Sequence, residues 1–252
     1  MQAHVTDGAA ADPHPCRRFE RCGLDAAPMH HEKMADSRDM IGVHDAMRRE
    51  FAALPALVAG VPAGDADGTA VVAGHVLMMV DFLHAHHTSE DDHVWPRLRE
   101  RCADDVEPLI ETMDRQHASI DRELQALAAE SRRWRAFADA TDRDAVAAVA
   151  ERLLPPLYEH LALEEERILP LIDRYLTERE WKENAEASLS KVSFTRRLLM
   201  LGMALHGASE EQAQLLRAAV PNVVWHAGRP LGTRLYRAHR GRLASASRGS
   251  HR

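Results

Sequence analysis

The segment HHTSEDDHVWPRL at residues 86–98 returns 74 residues later as HLALEEERILPLI at 160–172. Each copy carries a His, a Glu four residues on and a Pro six beyond the Glu: His86, Glu90 and Pro96, then His160, Glu164 and Pro170. At 3.6 residues per turn, positions i and i+4 stack on one helix face, so each His–Glu pair can grip a cation from one side. A second repeat has nearly the same offset, 73, with HDAMRREF from His44 returning as HASIDREL from His117. The chain is therefore constrained to two copies of a helix pair. One helix of each pair offers a histidine, the other a histidine and a glutamate.

These polar residues lie on stripes that are otherwise apolar. Met40, His44, Met47, Phe51 and Leu54 correspond to Met113, His117, Ile120, Leu124 and Leu127. Met79, Leu83, His86, Glu90 and Val94 correspond to Leu153, Leu157, His160, Glu164 and Ile168. Such stripes face a core, and an unpaired carboxylate buried there costs several kcal/mol. Neutral imidazoles and carboxylates around cations satisfy every group at once. His44, His86, Glu90, His117, His160 and Glu164 are thus the candidate metal ligands. Imidazole and carboxylate without thiolate suit iron, manganese or zinc. Two ions sharing both glutamates would split the histidines most simply as His44 with His86 and His117 with His160.

This combination, spanning roughly residues 36–176 and accompanied by the ED and WP of HHTSEDDHVWP, resembles the hemerythrin-like, HHE cation-binding family. The resemblance implies an antiparallel up-down-up-down four-helix bundle around a non-haem di-iron centre. Two iron ions would be bridged by the carboxylates and by an oxo or hydroxo group. It implies reaction with hydrogen peroxide, O2 or nitric oxide in oxidative or nitrosative stress handling, whether peroxide decomposition or nitric oxide turnover. The alternative it carries is an O2- or iron-binding sensor or carrier without turnover. One departure stands out. The third helix of oxygen-carrying hemerythrins supplies two histidines four residues apart, whereas the residues flanking His117 at that spacing are Met113 and Asp121. One iron would then have an open position, or one filled by water or Asp121, an arrangement that favours reaction over reversible storage.

Other polar residues are expected outside the ligand set. His93 shares the face of Glu90, but its repeat mate is Arg167; His84 and His87 are expected to point away from the stripe; His75 is three turns from His86. Tyr158, two residues before His160, faces elsewhere. Asp91 and Glu165 directly follow the two glutamates and are placed to orient histidines of neighbouring helices.

The rest of the chain fits an all-α protein with a C-terminal helical extension. Long 3.6-period segments dominate, alternating Val, Ile and Thr runs are missing, and 45% hydrophobic content supports a core. Residues 1–35 read as a disordered or loosely docked leader in which His14, Cys16, Cys22, His30 and His31 match no metal spacing. Helices are expected from about Ser37 to Leu57, Thr69 to Arg101 with a kink at Pro96, Asp104 to Ser131, and from Thr141 or Asp142 with a break at Pro155 and Pro156. TERE and SEEQ are capping boxes that start further helices at Thr177 and Ser209. Residues 177–228 form the extension, able to pack on the bundle, on a second copy or on a protein partner. Residues 229–252 read as a solvated basic tail, since eight arginines and no acid follow Gln212. A net charge of -7 argues against nucleic acid as the principal partner. Three cysteines without CxxC spacing, no signal-like N-terminus and a longest apolar stretch near 198–205 predict a cytoplasmic protein without a membrane span.

Overall fold

The computed structural model describes residues 32–220 and 222–248; the leader's candidate ligands lie outside them. The described residues are all-α. Helices α1 (Asp39–Ala59), α2 (Ala66–His93), α3 (Trp95–Phe137) and α4 (Ala140–Leu163) each pack on their neighbours in sequence, and α1 closes the ring on α4. Short links between consecutive long helices give the up-down-up-down bundle. Asp65 caps α2 by accepting from the Gly68 amide, and Asp139 caps α4 by accepting from the Asp142 amide.

The prolines act differently from the sequence expectation. Helix α2 ends at His93 instead of running to Arg101, and Pro96 sits in the first turn of α3, where its missing N–H costs nothing. The chain then bends at Cys102, whose φ of -152° and ψ of 41° are not helical, and α3 extends past Ser131 to Phe137. Pro155 and Pro156 do not break α4. The carbonyls they leave without donors belong to Glu151 and Arg152, both exposed, so water can satisfy them. The distortion falls later, where Glu164–Ile168 form a π-helical turn before α5 (Leu169–Tyr175). The Leu169 amide donates to the Glu164 carbonyl, and Pro170 has no amide with which to restore α-helical pairing.

The ligand-bearing layer divides the core in two. On one side lie Met47, Phe51, Leu54, Leu83, Ile120 and Leu157; on the other Met40, Trp95, Leu98, Ile110, Met113 and Ile172. Helix α2 is long and apolar enough by composition to cross a membrane, which the sequence reading did not anticipate. Its packing against α1, α3, α6 and α9, with half of its residues buried, accounts for that apolarity as core packing.

Beyond α5, the approach to α1 is tied down. Met34 pairs antiparallel with Thr177, and the Ala35 amide donates to the Leu176 carbonyl. Both capping boxes form, opening α6 (Glu178–Leu189) and α8 (Glu210–Ala219). Helix α7 (Phe194–Leu205) lies against α9 (Asn222–Ala246), which also packs on α2. The basic segment is therefore a folded helix through Ala246 rather than a solvated tail. Its arginines lie off a buried stripe of Trp225, Tyr236, His239, Leu243 and Ala246, and that stripe outweighs the charge.

Helices α7 and α9 cross at glycine. A Cβ on Gly202 would stand 2.1 Å from the Gly232 carbonyl oxygen, whereas one on Gly74 in α2 would meet nothing within 4 Å. Gly202→Val is expected to destabilise the protein by about 3 kcal/mol through overpacking, and Gly74→Ala to stabilise it by up to about 1 kcal/mol through helix propensity. Urea unfolding followed by circular dichroism checks both; a Gly202→Val midpoint equal to wild type would refute the crossing.

Candidate metal centre

All six expected ligands meet in one layer and are 5% exposed or less. His44 comes from α1, His86 and Glu90 from α2, His117 from α3, His160 from the last turn of α4 and Glu164 from the π-helical turn. The Nε2 atoms of His44 and His86 are 3.3 Å apart, and the rings of His117 and His160 stand edge to face with centroids 4.7 Å apart. Each carboxylate lies between the two histidine groups. Glu90 places one oxygen 3.1 Å from His86 Nε2 and the other 3.6 Å from His117 Nε2. Glu164 Oε2 is 3.3 Å from His44 Nε2 and 3.9 Å from His160 Nε2.

A seventh donor joins them. His87, expected to point outward, is 4% exposed; its ring stacks on His117 at 4.1 Å and meets His160 edge-on at 4.8 Å. The donor atoms of His87, His117 and His160 lie within 4.8 Å of one another, as do those of His44, His86 and Glu164. The sequence held the signal. His87 is four residues after Leu83 and three before Glu90, on the same face, and its repeat mate Leu161 is a core residue. The imidazole missing beside His117 on α3 is thus supplied from α2. Asp121 does not replace it: it pairs with exposed His84 at 3.2 Å and accepts from Gln125.

The outward-facing nitrogens are engaged. Glu165 lies 2.9 Å from His44 Nδ1 and accepts from Arg48, while Asp91 lies 2.8 Å from His117 Nδ1 and accepts from the Trp95 indole. Gln116 contacts His160 Nδ1. Such contacts fix each ring so that Nε2 faces inward. Inside the layer the pattern reverses: Nε2 of His87, His117 and His160 and all four oxygens of Glu90 and Glu164 are buried without a hydrogen-bond partner. Seven buried lone-pair donors aimed at one another fit cations, because no arrangement of neutral side chains satisfies them.

His93, Tyr158 and His75 stand apart from this cluster. The His93 carbonyl accepts from Arg97, and the Tyr158 hydroxyl reaches the Arg48 carbonyl at the surface. His75 is buried, with Nδ1 3.1 Å from His239.

Electrostatics describe how protons occupy the metal-free layer. Burial lowers His86 and His160 to about 3 and drives His87 well below its usual value. Burial also acts to lower His44, but the charges of Glu164 and Glu165 prevail and raise it to about 9. Desolvation, reinforced by the Glu164 charge, pushes Glu90 well up. Against the cost of its own burial, Glu164 is held down by His44 and the neighbouring imidazoles.

A four-helix bundle with a buried imidazole and carboxylate layer defines a cation-binding helical protein. The hemerythrin family, described as the hemerythrin HHE cation binding domain, matches residues 36–172. The chain belongs to that family, whose domain binds cations, and the buried cluster is the candidate for that role. No curated protein and no solved structure matches the chain significantly.

The stability of the metal-free protein is expected to peak near pH 6.5. Below that pH, His86 and His160 take up protons in the unfolded chain but stay neutral in the fold, so stability rises from pH 4 to 6.5. Above it, the folded state holds a proton on His44 that the unfolded chain has lost, and that contribution fades as pH approaches 9. Raised Glu90 acts in the same direction. Metal displaces those protons, so the metal-loaded protein should lose the falling limb. Thermal midpoints from pH 4 to 9 with and without metal check this; a metal-free midpoint still climbing at pH 9 would contradict it.

Proposed function

We propose that this chain is a non-haem di-iron protein that reacts with small oxidants, hydrogen peroxide, O2 or nitric oxide, in oxidative or nitrosative stress handling. The observation that carries the reading is the seven-donor layer of five imidazoles and two carboxylates, each carboxylate reaching both histidine groups. His44 and His86 would hold one ion and His87, His117 and His160 the other, with Glu90 and Glu164 shared. Two iron ions bound there would supply one-electron redox chemistry and Lewis acidity to a small ligand.

The protein's own residues set the conditions. None of the seven donors is more than 5% exposed, so the layer is shielded from bulk solvent and suits a small ligand. The His44 group has two imidazoles and the other has three, which leaves more room for a ligand beside His44 and His86. Asp91 and Glu165 keep the His117 and His44 rings in register and increase their donor strength. Glu165, half-buried and joined to Arg48, connects the layer with the surface and can pass a proton between His44 Nδ1 and solvent.

A second reading, reversible O2 binding or sensing without turnover, is favoured by His87. A fifth imidazole restores the nitrogen count that the α3 sequence lacks relative to oxygen carriers. Iron content and the optical spectrum, followed through peroxide addition with an oxygen electrode, separate the two. About two irons per chain with oxygen release from peroxide is the expected result. A reversible O2-dependent band without turnover would select the carrier or sensor, and failure to take up iron anaerobically would overturn both. His160→Ala and Glu164→Ala are expected to abolish iron binding and activity together, and His87→Ala to lower iron content by roughly half. His93→Ala should leave both unchanged.

A further inference from the structure

The arginines after Gln212 do not trail into solvent. Arg217 of α8 and Arg229, Arg234 and Arg237 of α9 line one cavity of about 640 Å3, with Trp225 and Thr233 between them. Positions 226, 229, 230, 233, 234 and 237 fall on one face of α9. The opposite face, with Tyr236, His239 and Leu243, is buried against the protein. The cavity therefore has a fixed wall on a packed helix, and α8 forms the other side.

Several arginines of the bundle are paired, Arg97 with Glu183, Arg99 with Asp114 and Arg101 with Glu180. Among the described residues no carboxylate lies within 4.0 Å of the four that line the cavity. Arg229 is held over the Trp225 ring, 5.7 Å from its centroid, which leaves its N–H edge free to donate. Thr233 adds a hydroxyl donor within the same cavity. Converging cations without local compensation are a site for negative charge, and the planar guanidinium fork matches phosphate oxygens in pairs.

Size and charge narrow the ligand. The volume is that of a small-molecule site. All 39 Asp and Glu precede Gln212, whereas eight of the 32 Lys and Arg follow it. A long polyanion leaving the cavity would run along a body with 24 basic residues against 39 acidic ones, but a short anion stays within reach of the arginines. We propose that the cleft between α8 and α9 binds a small oligophosphate anion, inorganic or part of a phosphorylated metabolite with consecutive phosphates. The site is separate from the metal centre and independent of its chemistry.

Calorimetric titration of the full-length, metal-loaded protein with tripolyphosphate, pyrophosphate and orthophosphate in about 0.15 M salt tests this. One saturable site is expected, with tripolyphosphate binding at least tenfold more tightly than orthophosphate. The double variant Arg234→Gln/Arg237→Gln should weaken tripolyphosphate at least tenfold while metal content and helicity stay unchanged. Thr233→Val provides a milder change with the arginines intact and should weaken it a few-fold. No saturation at millimolar tripolyphosphate would overturn the proposal, as would binding that survives the double variant or does not exceed that of orthophosphate. Preferential binding of an oligonucleotide or of anionic vesicles, at equal phosphate concentration, would overturn the small-ligand assignment.

Discussion

The structure depends on placing two carboxylates and five imidazoles in a single buried layer. Each member would be costly there alone, and hydrophobic packing cannot offset that cost because the layer interrupts the core. The protein meets the constraint from both sides. Outward nitrogens are tied to Asp91, Glu165 and Gln116, which fixes ring orientation without metal. Inside the layer, Nε2 of His87, His117 and His160 and the oxygens of both glutamates are left without hydrogen-bond partners, so the layer is not a closed hydrogen-bond network. Incomplete satisfaction of these atoms is what a cation would relieve.

The internal duplication explains how the constraint is met. Asp91 follows Glu90 and holds His117; Glu165 follows Glu164 and holds His44. Each copy therefore orients a histidine of the other, and neither copy would make a complete centre by itself. The symmetry breaks in two places. A proline six residues past the glutamate ends α2 in the first copy, while in the second it accompanies a π-helical turn that contains Glu164 itself. In addition, the position of His87 is Leu161 in the second copy, so one side of the layer gains an imidazole and the other an apolar contact.

The bundle, the convergence of six of the seven clustered side chains and the contacts of the two orienting carboxylates were legible because repetition and helical periodicity point the same way. His87 was missed because it adjoins His86, and adjacent residues are commonly assigned to different faces. The solvent side of α2 runs through Asp81, His84, Thr88 and Asp92, and both His86 and His87 fall on the buried side. The effect of the prolines was not legible either. Pro96 and Pro170 fall where the chain departs from the α-helix, but Pro155 and Pro156 lie inside an unbroken α4, and a proline's position in the sequence alone does not separate the two cases.

The C-terminal helices show how composition can mask a pattern. Eight arginines suggested a solvated tail, yet Trp225, Gly232, Tyr236, His239, Leu243 and Ala246 recur at helical spacing, and that periodicity decides the fold. The buried face is polar as well as apolar. The Tyr236 hydroxyl donates to Glu50, and His239 lies against His75, so two polar residues of the bundle depend on α9 for partners. Burial raises the Glu50 carboxyl above its usual value, and the Tyr236 hydrogen bond acts against that shift. Stripping α9 from the bundle would leave Glu50 without the hydroxyl donor and His75 without its ring partner. The region that the family match spans, 36–172, therefore does not contain every partner its own buried groups use. The later helices are part of the folded unit, since α9 packs on α2 and α8 on α1.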